Sequence, residues 1–451
     1  MSATRVFLLL MILCLGANIE VGGHPRRQSD GKSKKESRAE RKARKRKERY
    51  ATEKANEKVK TTTVTENKEK PKQLGSKRKQ ELSYPDSKVK KRYRVSVIAP
   101  LYLDELVRGE SVTFKDKVPE KAMAGLAFYQ GVKLAADSLR RAGAKLDIYI
   151  HDAGSFSESP EMLINGRKLD SADLILGAVE QHDIPALAGY ARKKRINFVS
   201  ALTNNDGWVK DNQYFTMLLP SVKSHCEYVI DELSRRHAGK DVTLLYRTSS
   251  LADDNAALYM LNDLFSEVTF RKLQCNTLPT REALAGILDS TKPNILAVSI
   301  LDPLFADSIL TTLARFYPNV RFEVWGMPTW TTIPSLRKPN ACRNITVNVT
   351  YPFNFAKSDS SLTLSIQQTF KKEFGGLPSE MVMRGYEAML WYGTLLRRYG
   401  TLFNNDYSDL SGAPFTNMKV KPRWDRNGSL LYLENKNIYL STYQGGINKS
   451  E

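Results

Sequence analysis

The sequence is short of cysteine. It has four, and Cys14 sits in a leading apolar run, which leaves Cys226, Cys275 and Cys342 for the rest of the chain. Three thiols exclude a disulfide scaffold, and their separations exclude a cysteine metal site. At most one bridge can form; Cys275–Cys342 is the pair to test, with three buried thiols as the alternative. Histidine is as sparse: His24, His151, His182, His225 and His237 fall at no ligand spacing, so no metal is expected. There is no phosphate-binding glycine loop, HExxH, GxSxG or paired CxxC. His151 and Asp152 are the one pair suited to acid–base work. With no nucleophile or third partner in view they read instead as a polar pair at a strand end. No catalytic residue, enzyme activity or cofactor is expected.

Long apolar runs are equally scarce. One follows Arg5, "VFLLLMILCLGA"; it is too short to span a bilayer comfortably and has the length of a signal-peptide core. Small residues suited to cleavage follow at Gly16–Ala17 and at "VGG", ending at Gly23. Residues 1–23 therefore read as an export signal, with an uncleaved anchor helix as the alternative. The triplets at Asn344, Asn348, Asn427 and Asn448 fit Asn-x-Ser/Thr, which matters only in a host that glycosylates.

What the chain has in excess is positive charge, net +20. Its location decides its meaning. Between His24 and Arg94 there are 27 Lys and Arg against 10 Asp and Glu, a net of +17, whereas Val95 onward carries only +3. That basic stretch has almost no large apolar residues and cannot bury enough surface to offset the entropy of ordering. Residues 24–93 are expected to be a basic tail or linker, with i,i+4 charge pairs between Lys34 and Lys60 favouring transient helix. It suits an anionic envelope surface, peptidoglycan or lipid headgroups; a solvated spacer is the alternative. Only the isolated Tyr50, Tyr84 and Tyr93 stand among the charges, too few for a base-stacking surface, so nucleic acid is not an expected partner.

From Arg94 the periodicity changes. "RVSVIAPLY" and "KLDIYIHD" are strand-like and flank "FYQGVKLAADSL", whose Phe128, Val132, Ala135 and Leu139 share one helix face. Strand-like "ADLILGAV" and "INFVSAL" enclose the helical "DIPALAGYARKKR", with Asp183 as N-cap. A helix over 222–238 leads to a second alternating series. It runs through "DVTLLYR", "DDNAALYMLNDLFSE", "TFRKL", "TREALAGILDS", "NILAVSIL", "PLFADSILTTLARFY", "RFEVWGMP" and "NITVNVTYPF". Helices over 361–374 and 380–399 follow, then a hairpin turning at Asn427-Gly428. The pattern predicts an α/β fold of two parallel-sheet, Rossmann-like lobes with a hinge over 94–451, lobe 1 near 94–222 plus C-terminal material and lobe 2 near 240–355. Ligands of such sheets sit beyond the carboxyl ends of the strands, and two such crevices can face each other.

The stretches "FYQGVKLAADSLRRAGAKLDIYIHDAG", "DLILGAVEQHDIPALAGYARKKRINFVSALTNN", "VTLLYRTSSLADDNAA" and "VWGMPTW", in that order, resemble the type I periplasmic solute-binding proteins, in the branched-chain amino-acid receptor branch. The chain is also similar to envelope proteins in which this module follows a peptidoglycan-binding LysM repeat, here replaced by the basic stretch. The resemblance implies a periplasmic receptor that closes on a small molecule such as an amino acid, for an ABC-type transporter or as a sensor. A ligand-free envelope scaffold tethered by the tail is the alternative. It places ligand contacts on Gln181, His182, Thr203 and Asn204 of the first lobe, and on Leu251, Asp253, Asp302, Pro328 and Trp330 of the second. Asp253 and Asp302 also read as helix caps, and Trp330 as core. Glu180 departs from the small hydroxyl residues the receptors place in the first loop and would repel a carboxylate.

Overall fold

The computed structural model describes residues 82–205, 208–248, 250–261, 269–353, 361–425 and 427–450. The proposed signal and most of the basic stretch lie outside them. Folded structure starts earlier than the charge pattern predicts: Leu82 packs on the first core cluster, the Tyr84 ring meets Tyr214 edge-on at 6.0 Å, and Ser87 donates to the Tyr399 carbonyl at 2.6 Å. Apolar and hydroxyl anchors of this kind, with hydrogen bonds joining the Ser83 and Lys88 backbone to Gln213 and Thr401, tie down a segment that is otherwise polar.

The first lobe is built on β1 (Tyr93–Ala99), β2 (Leu146–Asp152), β3 (Leu174–Gly177), β4 (Asn197–Ser200) and β5 (Phe215–Met217). The second uses β6 (Asp241–Tyr246), β7 (Thr269–Gln274), β8 (Asn294–Val298), β9 (Phe322–Gly326) and β10 (Ile345–Tyr351). Four strands follow: β11 (Val420–Trp424), β12 (Leu430–Asn435), β13 (Tyr439–Gln444) and β14 (Ile447–Ser450). The sheet orders are β2-β1-β3-β4-β5-β12-β11 and β7-β6-β8-β9-β10-β13-β14. The first five strands of each are parallel and repeat one order. Each sheet therefore reverses direction between its first and third strands, which opens a crevice at the carboxyl ends. The last strands make both sheets mixed, since β11 is antiparallel to β12, and β13 is antiparallel to β10 and β14. Gly428, left-handed at φ 79°, makes the β11–β12 turn.

Helices cover the sheets. They are α1 (Glu120–Arg141), α2 (Pro160–Asn165), α3 (Ile184–Lys194), α4 (Val222–His237), α5 (Leu251–Leu261), α6 (Arg281–Ala285), α7 (Pro303–Phe316), α8 (Ser361–Phe374) and α9 (Glu380–Tyr399). The helix expected over "TREALAGILDS" stops at Ala285: Gly286 caps it, and Asp289, Thr291 and Asn294 form a hydrogen-bonded turn instead. α1 and α9 pack closely because Gly131 and Gly385 face the partner backbone; a Cβ at either would overlap a carbonyl, of Val382 or Phe128 respectively. The first lobe has its cores on both sheet faces, and the second has its own. Cys226, Cys275 and Cys342 are free and buried, so the Cys275–Cys342 pair is not bridged and the alternative of three buried thiols holds; all three belong to the second core as small apolar groups.

The chain passes between lobes three times: from β5 to α4, from β10 to α8, and from β12 to β13. Glu434 on β12 ties the first passage to the third. Its carboxylate, fully buried, accepts from the Ser221 N–H at 2.6 Å and the Ser224 hydroxyl at 2.7 Å, at the start of α4. It also receives Arg423 at 3.0 Å and Lys436 at 3.4 Å. Burial favours the protonated form, but Lys436 and Arg423 hold the group below the usual carboxylate range. Asn435 adds a bond to the Leu218 carbonyl at 3.2 Å.

Candidate functional site

In the first lobe the candidate loops leave neighbouring strands, β3 and β4, whose ends are joined by the Ala201 N–H to Gly177 carbonyl bond at 2.8 Å. Gln181 and His182 lie exposed in a 3-10 turn (Gln181–Asp183). His182 lies between two carboxylates, 3.5 Å from Glu180 and 3.3 Å from Asp183. Asp183 stands at the N-cap position of α3, as the sequence predicts, but its side chain makes no cap bond. It is buried instead, and burial, with Glu161 and Glu180 nearby, raises its pKa against the opposing pull of His182. Thr203 and Asn204 are half-buried, and the Thr203 hydroxyl accepts the Asn205 N–H at 3.0 Å. The first-lobe face thus carries amides, a hydroxyl and net negative charge.

In the second lobe the candidates gather around the loop 300–302 after β8, and three are already committed. Asp253 is buried and accepts the Leu301 N–H at 2.8 Å. Asp302 caps α7 through the Leu304 and Phe305 N–H groups at 3.0 and 3.2 Å, and pairs with Arg247 at 3.0 Å. Burial works against its charge, but the Phe305 N–H and Arg247 lower its pKa on balance. Trp330 has no exposed surface; its indole donates to the Ile300 carbonyl at 2.7 Å within the second core. It is core, and cannot cover a ligand. Gly326 leaves room for that ring, since a Cβ there would overlap it. Pro328 is half-buried at the start of a 3-10 turn (Pro328–Thr332). Leu251 opens α5.

His151 and Asp152 behave as a structural pair. Asp152 accepts four backbone N–H groups, from Leu101, Tyr102, Leu103 and Gly154, at 2.7 to 2.9 Å. It thereby fastens the turn after β1, where Tyr102 is left-handed at φ 55°. His151 is buried, and burial lowers its pKa against the opposing pull of Glu158, favouring the neutral form. Among the described residues no group of His, Cys, Asp or Glu could hold a metal ion, and no helix is long and apolar enough to cross a membrane.

Arg384 escaped the sequence reading. It lies on α9, buried; its guanidinium reaches the Ala201 carbonyl at 3.4 Å, pairs with Glu380 at 2.6 Å, and covers the Phe353 ring at 4.7 Å. Burial lowers its pKa against Glu380, and its Nε has no partner. A single charge among buried Met383, Gly385 and Tyr386 was the available signal. It puts a cation behind the Thr203 loop.

No family model matches the chain, and no curated protein matches it in sequence. Solved structures do. A Rhodospirillum rubrum protein assigned to a branched-chain amino-acid ABC transporter aligns with TM-score 0.59 at 11% identity, over 80% of this chain and 100% of the other. An ABC transporter substrate-binding protein of Desulfitobacterium hafniense, in complex with Leu, aligns at 0.50 and 14%, over 80% and 100%. Full-length LpoA of Haemophilus influenzae aligns at 0.51 and 11%, over 82% of this chain and 60% of LpoA. Two lobes of repeated strand order, three passages between them and these likenesses together give the chain the type I periplasmic binding protein fold.

Proposed function

We propose that the chain is a solute-binding protein that closes its lobes on a small molecule outside the cytoplasm, as receptor of an ABC-type transporter or as a sensor. The observation that carries this reading is the repeated strand order, which puts candidate loops of both lobes at strand carboxyl ends, with three passages between the lobes. Closure then converts ligand affinity into a shift between open and closed states. An amino acid is the first class to test, because a protein of the same fold holds Leu. Its ammonium group suits the first lobe: Glu180 and Asp183 flank Gln181 and His182, and a carboxylate there would meet like charge. The groups left open to the solute are Gln181, His182, Thr203, Asn204 and Pro328. The test is thermal melting of the full chain against a panel of amino acids and small metabolites. A solute at a hundred times its Kd adds about 2.7 kcal/mol, a rise of a few degrees. A flat response across the panel rejects the reading.

A ligand-free scaffold, held at an anionic envelope surface by residues 24–93, is the second reading. What favours it is the commitment of Asp253, Asp302 and Trp330 to protein partners. Sedimentation of the full chain with peptidoglycan, together with the flat melting response, supports it.

A further inference from the structure

At the end of the first lobe remote from the candidate site there is a concavity of about 220 Å³. β1 and β2 begin beside it, Tyr93 paired with Leu146, and their seven residues each put it about 20 Å from the carboxyl ends. Its wall holds Lys90, Lys91, Lys145 and Arg397 and no carboxylate. Two of these cations are partly compensated. Lys90 pairs with Asp173, and Arg397 donates to the Ala142 carbonyl at the end of α1, at 2.8 Å. Among the described residues Lys91 and Lys145 have no acidic partner. Gly143, left-handed at φ 81° with open space where a Cβ would stand, puts no side chain over the mouth.

This gathering runs against the rest of the folded chain, which is close to neutral from Val95 onward. Cations brought together around one hollow repel each other, and an anion bearing several oxygens relieves that repulsion while accepting from each ammonium and from the free guanidinium edge. The acidic residues Glu180 and Asp183 on the first-lobe face of the candidate site give the two ends of the lobe opposite charge.

We propose that this hollow binds a phosphate or sulfate monoester, borne by a soluble ester or by a lipid headgroup. Binding here is independent of whether a solute closes the lobes. The test uses the full chain at about 150 mM salt, where exposed charges are screened beyond about 8 Å. Titration with glycerol 3-phosphate is compared between the wild type, the variant Lys91→Gln with Lys145→Gln, and the variant Lys34→Gln with Lys35→Gln, which removes equal charge from the basic stretch. The expected result is saturable binding that weakens at least tenfold in the first variant and is unchanged in the second. Equal weakening in both variants, or no saturable binding by the wild type, overturns the proposal. Monomeric dihexanoyl phosphatidic acid separates the sources. Binding clearly tighter than glycerol 3-phosphate and lost with Lys91 and Lys145 assigns a lipid headgroup; equal affinity assigns a soluble ester. Both pocket lysines are exposed, so an unchanged melting temperature confirms that the variant folds.

Discussion

Asp152 offers a sharp test of the distinction between chemistry and architecture. In Asp152→Ala the N–H groups of Leu101, Tyr102, Leu103 and Gly154 lose their acceptor. Asp152 is only 4% exposed, so water replaces it poorly. A buried donor left unsatisfied costs about 1–3 kcal/mol. With four donors and partial relaxation of the turn, a loss of at least 4 kcal/mol is expected. Asp152→Asn is the informative companion. Three of the N–H groups share Oδ1 and one uses Oδ2, so the amide oxygen can keep three bonds while its NH2 opposes Leu103. A loss of about 2 kcal/mol follows. Urea denaturation followed by circular dichroism measures both. If Asp152→Ala folds with wild-type stability, the staple assignment is wrong and an acid–base role for the pair must be reopened.

Acid should weaken the second lobe through His225, which is buried against Thr350 at 3.0 Å. Burial lowers its pKa from 6.5 to about 4, against the opposing pull of Glu434; the unfolded chain takes up a proton the folded one refuses. Stability is therefore full above pH 6.5 and falls toward pH 4, by about 3 kcal/mol; His225→Asn should abolish that part of the slope in denaturation curves. Burial also pushes the Cys275 thiol up to about 11 and raises those of Cys226 and Cys342. A thiol reagent at pH 8 should leave all three unmodified in the native protein and label them in denaturant, and electrophoresis should give one mobility with or without reductant. Gly385→Ala should cost about 1–3 kcal/mol by forcing α1 and α9 apart, read as a lower denaturation midpoint; an unchanged midpoint would refute the close-crossing account.

The two-lobe architecture was legible because it rests on periodicity. Phe128, Val132, Ala135 and Leu139 are all buried, and the strands on either side of them pair as β1 and β2. Long-range packing was not legible in the same way. Leu82 and Tyr84 sit in a polar, charged stretch whose composition hides their anchoring role. Trp330 and Asp253 stand at the loop positions the resemblance marks, yet local sequence does not reveal that the Ile300 carbonyl and the Leu301 N–H would claim them. Arg384 was invisible because its neighbours across the fold, Ala201 and Phe353, are far away in sequence. Pairings at that range belong to the tertiary structure, and a single chain's pattern does not encode them readably.

Solution X-ray scattering of the full chain, with and without the solute that most raises its melting temperature, tests the central claim most directly. The account predicts saturable one-to-one binding accompanied by a smaller radius of gyration, as the lobes close. A solute that binds and stabilises while the scattering curve stays unchanged would contradict it.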